Sequence, residues 1–351
     1  MTLKPNLNMD FLNKANRLLF FLIAIYLVFY HLASFLIPLT FGIFLAMLIL
    51  PFTRFLEKYK FNSILSSLTS TFALFLFLGV LSYLFTLQIS QLADQLPGMR
   101  GNIEAVIENL EEQIAAITGV TIEEQQEIIE ERIRALWGNI ETRIAGFVGG
   151  VLEFTLKFML AFVYVFIFLL YRKKFMRFIV RLYSTKKEKE NARDVVNEIT
   201  KVVYQYLWGR AQVMLSLAVM YYITFLIFGL PFALLITIFG ALITIIPYFG
   251  PLVSGLVPIS FAIIFFEDIS YIVIFSITII VIQLVESYFF EPYFIGKEVK
   301  LNALVVIIAV LLGGIIWGVA GMILFVPILA TIKIISNHSK DLRPFGALLG
   351  K

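Results

Sequence analysis

Apolar residues run along this chain in long stretches, and polar residues gather between them. Residues 18–51 hold no Asp, Glu, Lys or Arg and are interrupted by His31, Pro38 and Gly42. A helix crosses hydrocarbon in about 20 residues, so this run predicts two crossings rather than one. Phe61–Ser90 predicts a third, long span. Over 91–145 apolar positions recur at Ile103, Ile107, Leu110, Ile114 and Ile117, the spacing of three and four that marks one face of a helix. A Thr118-Gly119 break follows, and Thr121 to Glu124 fits a capping box that opens a second amphipathic helix through Ile129, Ile133, Leu136, Ile140 and Ile144. Ala145–Tyr171 then predicts a fourth span. Thr185 with Glu188 can cap another amphipathic helix, which carries Val195, Val196, Ile199, Val202 and Val203. Tyr204–Leu230 predicts a fifth span.

The last third has a different pattern. Segments 231–266 and 301–336 are both apolar, with Lys333 the one charged residue, and both are broken by Gly and Pro. The first contains Pro247, Gly250, Pro251, Gly255 and Pro258; the second contains Gly313, Gly314, Gly318, Gly321 and Pro327. Pro removes a helix hydrogen bond and Gly weakens a turn, so each segment is a pair of half-helices, a re-entrant hairpin or one strongly kinked helix. Between them lie a simple span, Ile269–Phe290, and a loop, Glu291–Lys300. The predicted architecture is an all-α polytopic membrane protein of about eight crossings. It divides into three crossings (1–90), an extracytoplasmic amphipathic hairpin (91–145), a fourth span (146–171), a basic cytoplasmic helix (172–203), a C-terminal membrane region (204–337) and a tail (338–351).

Composition agrees. Of 351 residues 60% are hydrophobic and 15% charged, against about 25% charged in soluble domains, so much of the surface must face lipid. Charge also orients the chain. Residues 172–203 carry ten Lys or Arg against four acidic residues, whereas 91–145 carry eleven acidic residues against four Arg. Basic loops stay inside, which puts both termini in the cytoplasm of a cell whose plasma membrane holds the protein. The net charge of +4 comes from clusters at span ends, so no nucleic-acid partner is implied. With no Cys, disulfides, thiolate metal sites and Cys nucleophiles are excluded, and with only His31 and His338 no His-based metal site or triad is expected. No cofactor motif is present, and no nucleophile–base pair suggests an enzyme.

Candidate chemistry lies in the broken segments and in a few charges inside spans. Interrupted helices expose carbonyls and dipole ends near the membrane midplane, where a solute can be held. Intramembrane charges are costly and need a reason. Glu286 shares a helix face with Gln283 and Phe290 and can exchange a proton, bind a cation or reach the cytoplasmic interface. Glu153 and Lys157, four apart, read as a structural ion pair. Arg210, with Gln212 at the start of the fifth span, reads as an interfacial anchor, and His31 as a packed polar residue. The apolar stripes of the amphipathic helices need burial, so self-association into a homo-oligomer is expected.

Four stretches carry a resemblance: Tyr206 to Gln212 with Arg210 inside, Ile246 to Pro251 with Pro258, Glu291 to Lys297, and Gly313 to Gly321 with Pro327. In these the chain resembles the AI-2E family of transporters, named for autoinducer-2 export. The resemblance covers nearly the whole chain and is most specific in the C-terminal half. It implies a bacterial plasma-membrane transporter that expels a small polar solute such as an autoinducer-2-like signal. The alternative it implies is exchange of Na+ or Li+ for a proton. A scaffold that binds partner subunits without transporting is the reading from another class. The family pattern has Leu-His-Pro after the Gly-Lys pair, where this chain has Leu301, Asn302 and Ala303.

Overall fold

A computed structural model describes residues 9–118, 159–266, 268–295 and 301–350. Among these residues every regular element is helical, apart from one isolated bridge between Leu301 and Gly350. The uncharged N-terminal run divides at Leu32 into α1 (Met9–His31) and α2 (Ala33–Lys58). Helix α3 (Ser63–Thr118) is 56 residues long, about 84 Å at 1.5 Å per residue. It therefore extends far past any bilayer, and the first arm of the predicted amphipathic hairpin is its unbroken continuation. The second arm of that hairpin lies outside the described residues. Helix α4 covers residues 159–181.

Helix α5 (Lys186–Phe228, 43 residues) corrects one predicted boundary. The basic amphipathic helix and the fifth span are one element, because nothing between Val203 and Tyr204 interrupts helical hydrogen bonding. Its start is the predicted capping box: the Thr185 hydroxyl accepts from the Glu188 N–H, and the Glu188 carboxylate accepts from the Thr185 N–H. Gly229, at φ 66°, ends it.

Segment 231–266 forms a helical hairpin, α6 (Ala233–Ile243) and α7 (Phe249–Phe265). At the crossing of its arms Gly250 lies so close to Ile243 and Thr244 that a Cβ would strike their backbone. The turn is tight: the Phe249 N–H donates to the Pro247 carbonyl at 2.7 Å around Tyr248, at φ 63° and ψ −48°. This is a γ-turn with positive φ at its centre, a strained form for a residue with a side chain.

Helix α8 (Ile269–Val285) continues without a break into a π-helix, Glu286–Ile295. The predicted loop beginning at Glu291 is thus helical as far as Ile295. The face of α8 with Phe275, Ile279 and Ile282 is buried, while Val273, Ile277, Ile280 and Leu284 are exposed to what composition says is lipid.

Helix α9 (Ala303–His338) reverses at Gly318, whose φ of 59° and ψ of −141° are non-helical. On a straight helix Gly313 and Gly321 would stand about 12 Å apart; here a Cβ on either would strike the other's backbone. Val305, Ala309 and Val310 from one half share a buried cluster with Val326, Ala330 and Ile334 from the other. The segment is a second hairpin. The predicted tail folds as α10 (Arg343–Leu349) against the open end of α9. Asn302 joins them: its Oδ1 accepts from the Val305 N–H and its Nδ2 donates to the Leu348 carbonyl. Asn302 is thus a structural cap at the start of α9.

Among the described residues four continuous helices are long and apolar enough to cross a membrane, Ala33–Lys58, Ser63–Gln95, Lys186–Phe228 and Ile269–Ile295, and Ala303–His338 is as apolar but turns back at Gly318. Together with the shorter apolar helices they make an all-α polytopic membrane protein. Helix α5 sits at its centre, against α2, α6, α8, α9 and the π-helix.

Candidate functional site

Two polar groupings meet inside this apolar frame. The first joins α5 to the π-helix. Arg210 is buried, and its guanidinium donates to Glu291 Oε1 at 2.6 Å and to the Thr244 carbonyl at 3.3 Å. Close packing of Gly209 against the Phe294 carbonyl brings these elements together. Arg210 ties the end of α6 to the π-helix. The Arg210 guanidinium also lies over the Tyr206 ring, 6.0 Å from its centroid. Arg210 Nε and the Tyr206 hydroxyl are buried without a hydrogen-bond partner.

The second grouping centres on Gln283. Its amide touches the Tyr221 hydroxyl on α5, Ser254 Oγ (2.9 Å) and the Pro251 carbonyl (3.1 Å) on α7, and Glu286 Oε2 (3.2 Å) one turn along its own helix. The Tyr221 hydroxyl donates to the Ser254 carbonyl at 3.0 Å. Gly255 packs beside the amide, where a Cβ would lie in ordinary contact, 3.5 Å from Gln283 Cγ. Glu286 has no exposed surface, and its Oε1 has no hydrogen-bond partner.

The π-helix couples the two groupings. Residues five apart on an α-helix are about 140° apart around the axis, whereas i→i+5 hydrogen bonding stacks them. Glu286 and Glu291 are five apart, and Glu286 lies within electrostatic reach of both Glu291 and Arg210. Of these two carboxylates Glu291 is the one paired with the guanidinium. A buried carboxylate is costly unless paired, so the arrangement calls for one further positive species at Glu286. Among the described residues no three His, Cys, Asp or Glu side chains converge to hold a metal ion, and the donors around Glu286 are hydroxyl, amide and carbonyl oxygens.

Of the residues singled out in the sequence, the structure gathers Pro251, Gly255, Gln283 and Glu286 in one place and Arg210 and Glu291 beside them. Pro247 and Gly250 form the turn of the α6–α7 hairpin, and Pro258 lies farther along α7. Gly313, Gly314, Gly318, Gly321 and Pro327 build the α9 hairpin and join neither polar grouping, although that hairpin packs on Tyr206 and Ile246. Gln212 is two residues from Arg210 and so faces another side of α5. Glu153, Lys157 and Lys297 lie outside the described residues. Sequence reasoning missed Tyr206, Tyr221, Thr244 and Ser254. A signal existed: Tyr206, Arg210, Leu217 and Tyr221 fall four, seven and four apart, one face of α5 with three polar groups inside a span.

The AI-2E family transporter profile matches residues 19–341. The chain belongs to the AI-2E family. It is similar over most of its length to curated bacterial proteins. The "Putative transport protein YrrI" of Bacillus subtilis is 26% identical over 314 residues, 88% of this chain and 87% of that protein. The "Putative transport protein YueF", also of Bacillus subtilis, is 26% identical over 296 residues, 81% and 78% of the two chains. The "Putative transport protein MT0215" of Mycobacterium tuberculosis is 25% identical over 305 residues, 84% and 80%. With its apolar helices, membership of the AI-2E family makes this chain a multi-pass membrane transporter.

Proposed function

We propose that the protein is a secondary transporter of the plasma membrane that expels a small polar solute of the autoinducer-2 kind, with both termini in the cytoplasm. The observation that supports this most is Glu286, a wholly buried carboxylate with one oxygen unpartnered, set beside a broken helical hairpin. Carboxylates are retained inside membrane proteins where they handle protons, ions or substrate. Broken helices bring carbonyls to the same depth. The Arg210–Glu291 pair supplies a rigid backing that leaves Glu286 as the group whose charge must be balanced by what it binds.

A second reading is favoured by that same charge balance: Na+ or Li+ exchanged for a proton is itself the cargo, and no organic solute moves. The test is flux in proteoliposomes holding this protein alone, with imposed pH and sodium gradients and an internal pH dye. Downhill release of a loaded furanone-type solute supports solute efflux. Proton movement that requires sodium or lithium, without solute release, supports antiport. Glu286→Gln is expected to abolish ion-linked movement in either case, and unchanged pH-dependent flux in that variant would remove the carboxylate from the mechanism. Silence in both assays from folded protein would put the scaffold reading first.

A further inference from the structure

Helix α4 ends in a stretch that neither water nor hydrocarbon suits. From residue 172 it reads Arg-Lys-Lys-Phe-Met-Arg-Phe-Ile-Val-Arg, with Leu182 directly after it. Met176, Ile179 and Val180 are half-buried. Phe175, Phe178 and Leu182, three and four apart, form a second apolar row that stays open, with Phe178 63% and Leu182 67% exposed. Lys173, Lys174, Arg177 and Arg181 are exposed as well. At about 100° per residue their row lies roughly 120° round the helix from the open apolar row. Water disfavours the apolar row, and hydrocarbon disfavours four charges. The layer where headgroups meet acyl chains takes both faces at once.

Helix α2 ends at the same level. Arg172 Nη1 donates to the Leu169 carbonyl at 2.7 Å and Arg172 Nη2 to Glu57 Oε2 at 2.5 Å. Ser63 Oγ donates to Glu57 Oε1 at 2.8 Å. These bonds clamp the end of α4 to the end of α2 and the start of α3, and they engage both Glu57 oxygens. Glu57 is the one acidic residue within 33–66 and 159–187, so the basic surface around the clamp is left uncompensated. Arg54, Lys58 and Lys60 stand exposed on the α2 side. Phe55 and Tyr59 are exposed beside them, with ring centroids 4.9 Å apart. On α4, Lys174 Nζ lies over the Tyr171 ring, 4.5 Å from its centroid. Aromatic rings among basic residues are what the headgroup level of a membrane selects.

We propose that the clamped ends of α2 and α4 form a docking surface for anionic phospholipids of the leaflet they face, which the orientation proposed above makes the cytoplasmic one. The headgroup phosphates lie along Lys173, Lys174, Arg177 and Arg181, and the acyl chains lie against Phe175, Phe178 and Leu182. Charge complementarity and the apolar row select this occupant together. A nucleic acid or an acidic protein would answer the charge and leave the apolar row in water. A zwitterionic lipid would cover the apolar row and bring its own cation to the basic one. An anionic lipid surface attracts such a basic cluster, and salt weakens that attraction. The basic row starts beside Arg172, so a lipid bound there braces the α2–α4 junction and is read as added stability. The surface shares no residue with the Gln283–Glu286 grouping.

The test is native mass spectrometry of the purified full chain, released from detergent micelles doped equally with phosphatidylglycerol and phosphatidylcholine. The thermal midpoint is followed in micelles of each lipid. Neither readout depends on transport or on which way the protein faces in the cell, so failure of the transport reading leaves this test intact. Phosphatidylglycerol should be retained over phosphatidylcholine by about tenfold or more and should raise the midpoint, with both effects fading as salt is added. Lys173→Gln, Lys174→Gln, Arg177→Gln and Arg181→Gln together should bring the retention ratio close to one. Removing as many charges elsewhere, by Lys186→Gln, Lys187→Gln, Arg193→Gln and Lys340→Gln, should leave the ratio unchanged. Should the fourfold α4 variant fail to fold, Lys173→Gln with Arg177→Gln should still lower the ratio about fivefold or more. Equal losses in the two sets would assign the preference to net charge and overturn the site. An unchanged ratio in the α4 variants would do the same. A midpoint rise with soluble inorganic phosphate equal to that with phosphatidylglycerol would mark an anion site that needs no lipid, and would overturn it too.

Discussion

The two helical hairpins differ in what holds them together. In the α9 hairpin the reversal falls on Gly318, which takes its positive φ freely, and the arms meet through Gly313 and Gly321 with apolar side chains on either side. Its tip is pinned: Trp317 Nε1 donates to the Phe29 carbonyl at 2.9 Å, and the two rings stack 5.5 Å apart. The α6–α7 hairpin reverses on Tyr248, a residue that is strained there, and is wired to its surroundings by polar contacts through Ser254, Pro251 and Thr244. One hairpin is dry, zipped and unstrained. The other is polar, strained and linked to a buried carboxylate. Strain and unpaired polar atoms collect at functional sites, so we propose the α6–α7 hairpin as the working one and the α9 hairpin as its support.

The sharpest way to break that contrast is to load a side chain onto each seam. A Cβ on Gly321 would overlap the Gly313 backbone, which no rotamer change relieves. Gly321→Leu is expected to eliminate stable protein, read as loss of the monodisperse peak in size-exclusion chromatography. Gly255→Ala places its methyl at ordinary contact distance from Gln283 and should leave stability within about 1 kcal/mol while altering ion-dependent flux. Equal tolerance at both positions would mean that the seams are not different in kind.

A smaller effect is expected at the Arg210–Glu291 pair. Removing one partner of a buried pair costs about 3–5 kcal/mol. The Glu291 side chain is 33% exposed against 6% for Arg210, so solvent screening brings Glu291→Gln toward about 2–3 kcal/mol. Arg210→Met combined with Glu291→Gln should recover part of that loss, because no charge is then stranded. The double-mutant cycle in thermal unfolding measures this coupling; additive losses would show that the pair does not act as a unit.

The helices were legible because membrane spans announce themselves by length and composition, and the capping box at Thr185 by four residues. The breaks were legible as breaks. Their form was not, since Gly and Pro mark where a helix weakens without saying that the chain turns back at Gly318 or Tyr248. Glu286 and Gln283 could be placed on one face by spacing alone. The pairing of Arg210 with Glu291 could not, because it spans 81 positions and depends on a π-helix that brings Glu291 under Glu286. No periodicity rule predicts such a helix. Tyr221 and Ser254 escaped for a related reason: a lone hydroxyl in a span is commonly satisfied by its own helix, as Ser276 is by Ile272.

The turn residues offer the finest distinction, one of sign. Positive φ costs a side-chain-bearing residue about 1–3 kcal/mol, and Gly in its place gives back about 0.5–1 kcal/mol through chain entropy. Tyr248→Gly is therefore expected to stabilise the protein by about 1 kcal/mol, while Gly318→Ala, at a φ and ψ that essentially only glycine adopts, destabilises it by about 1–3 kcal/mol. Tyr248 is exposed, so little packing is lost on its removal. If the strain at Tyr248 serves the transport cycle, Tyr248→Gly will also lower flux as the thermal midpoint rises, because the relaxed turn no longer favours leaving its ground state. A rise in both stability and flux would reduce Tyr248 to a local imperfection and leave the polar wiring to Gln283 as the one feature that makes the α6–α7 hairpin the working member of the pair.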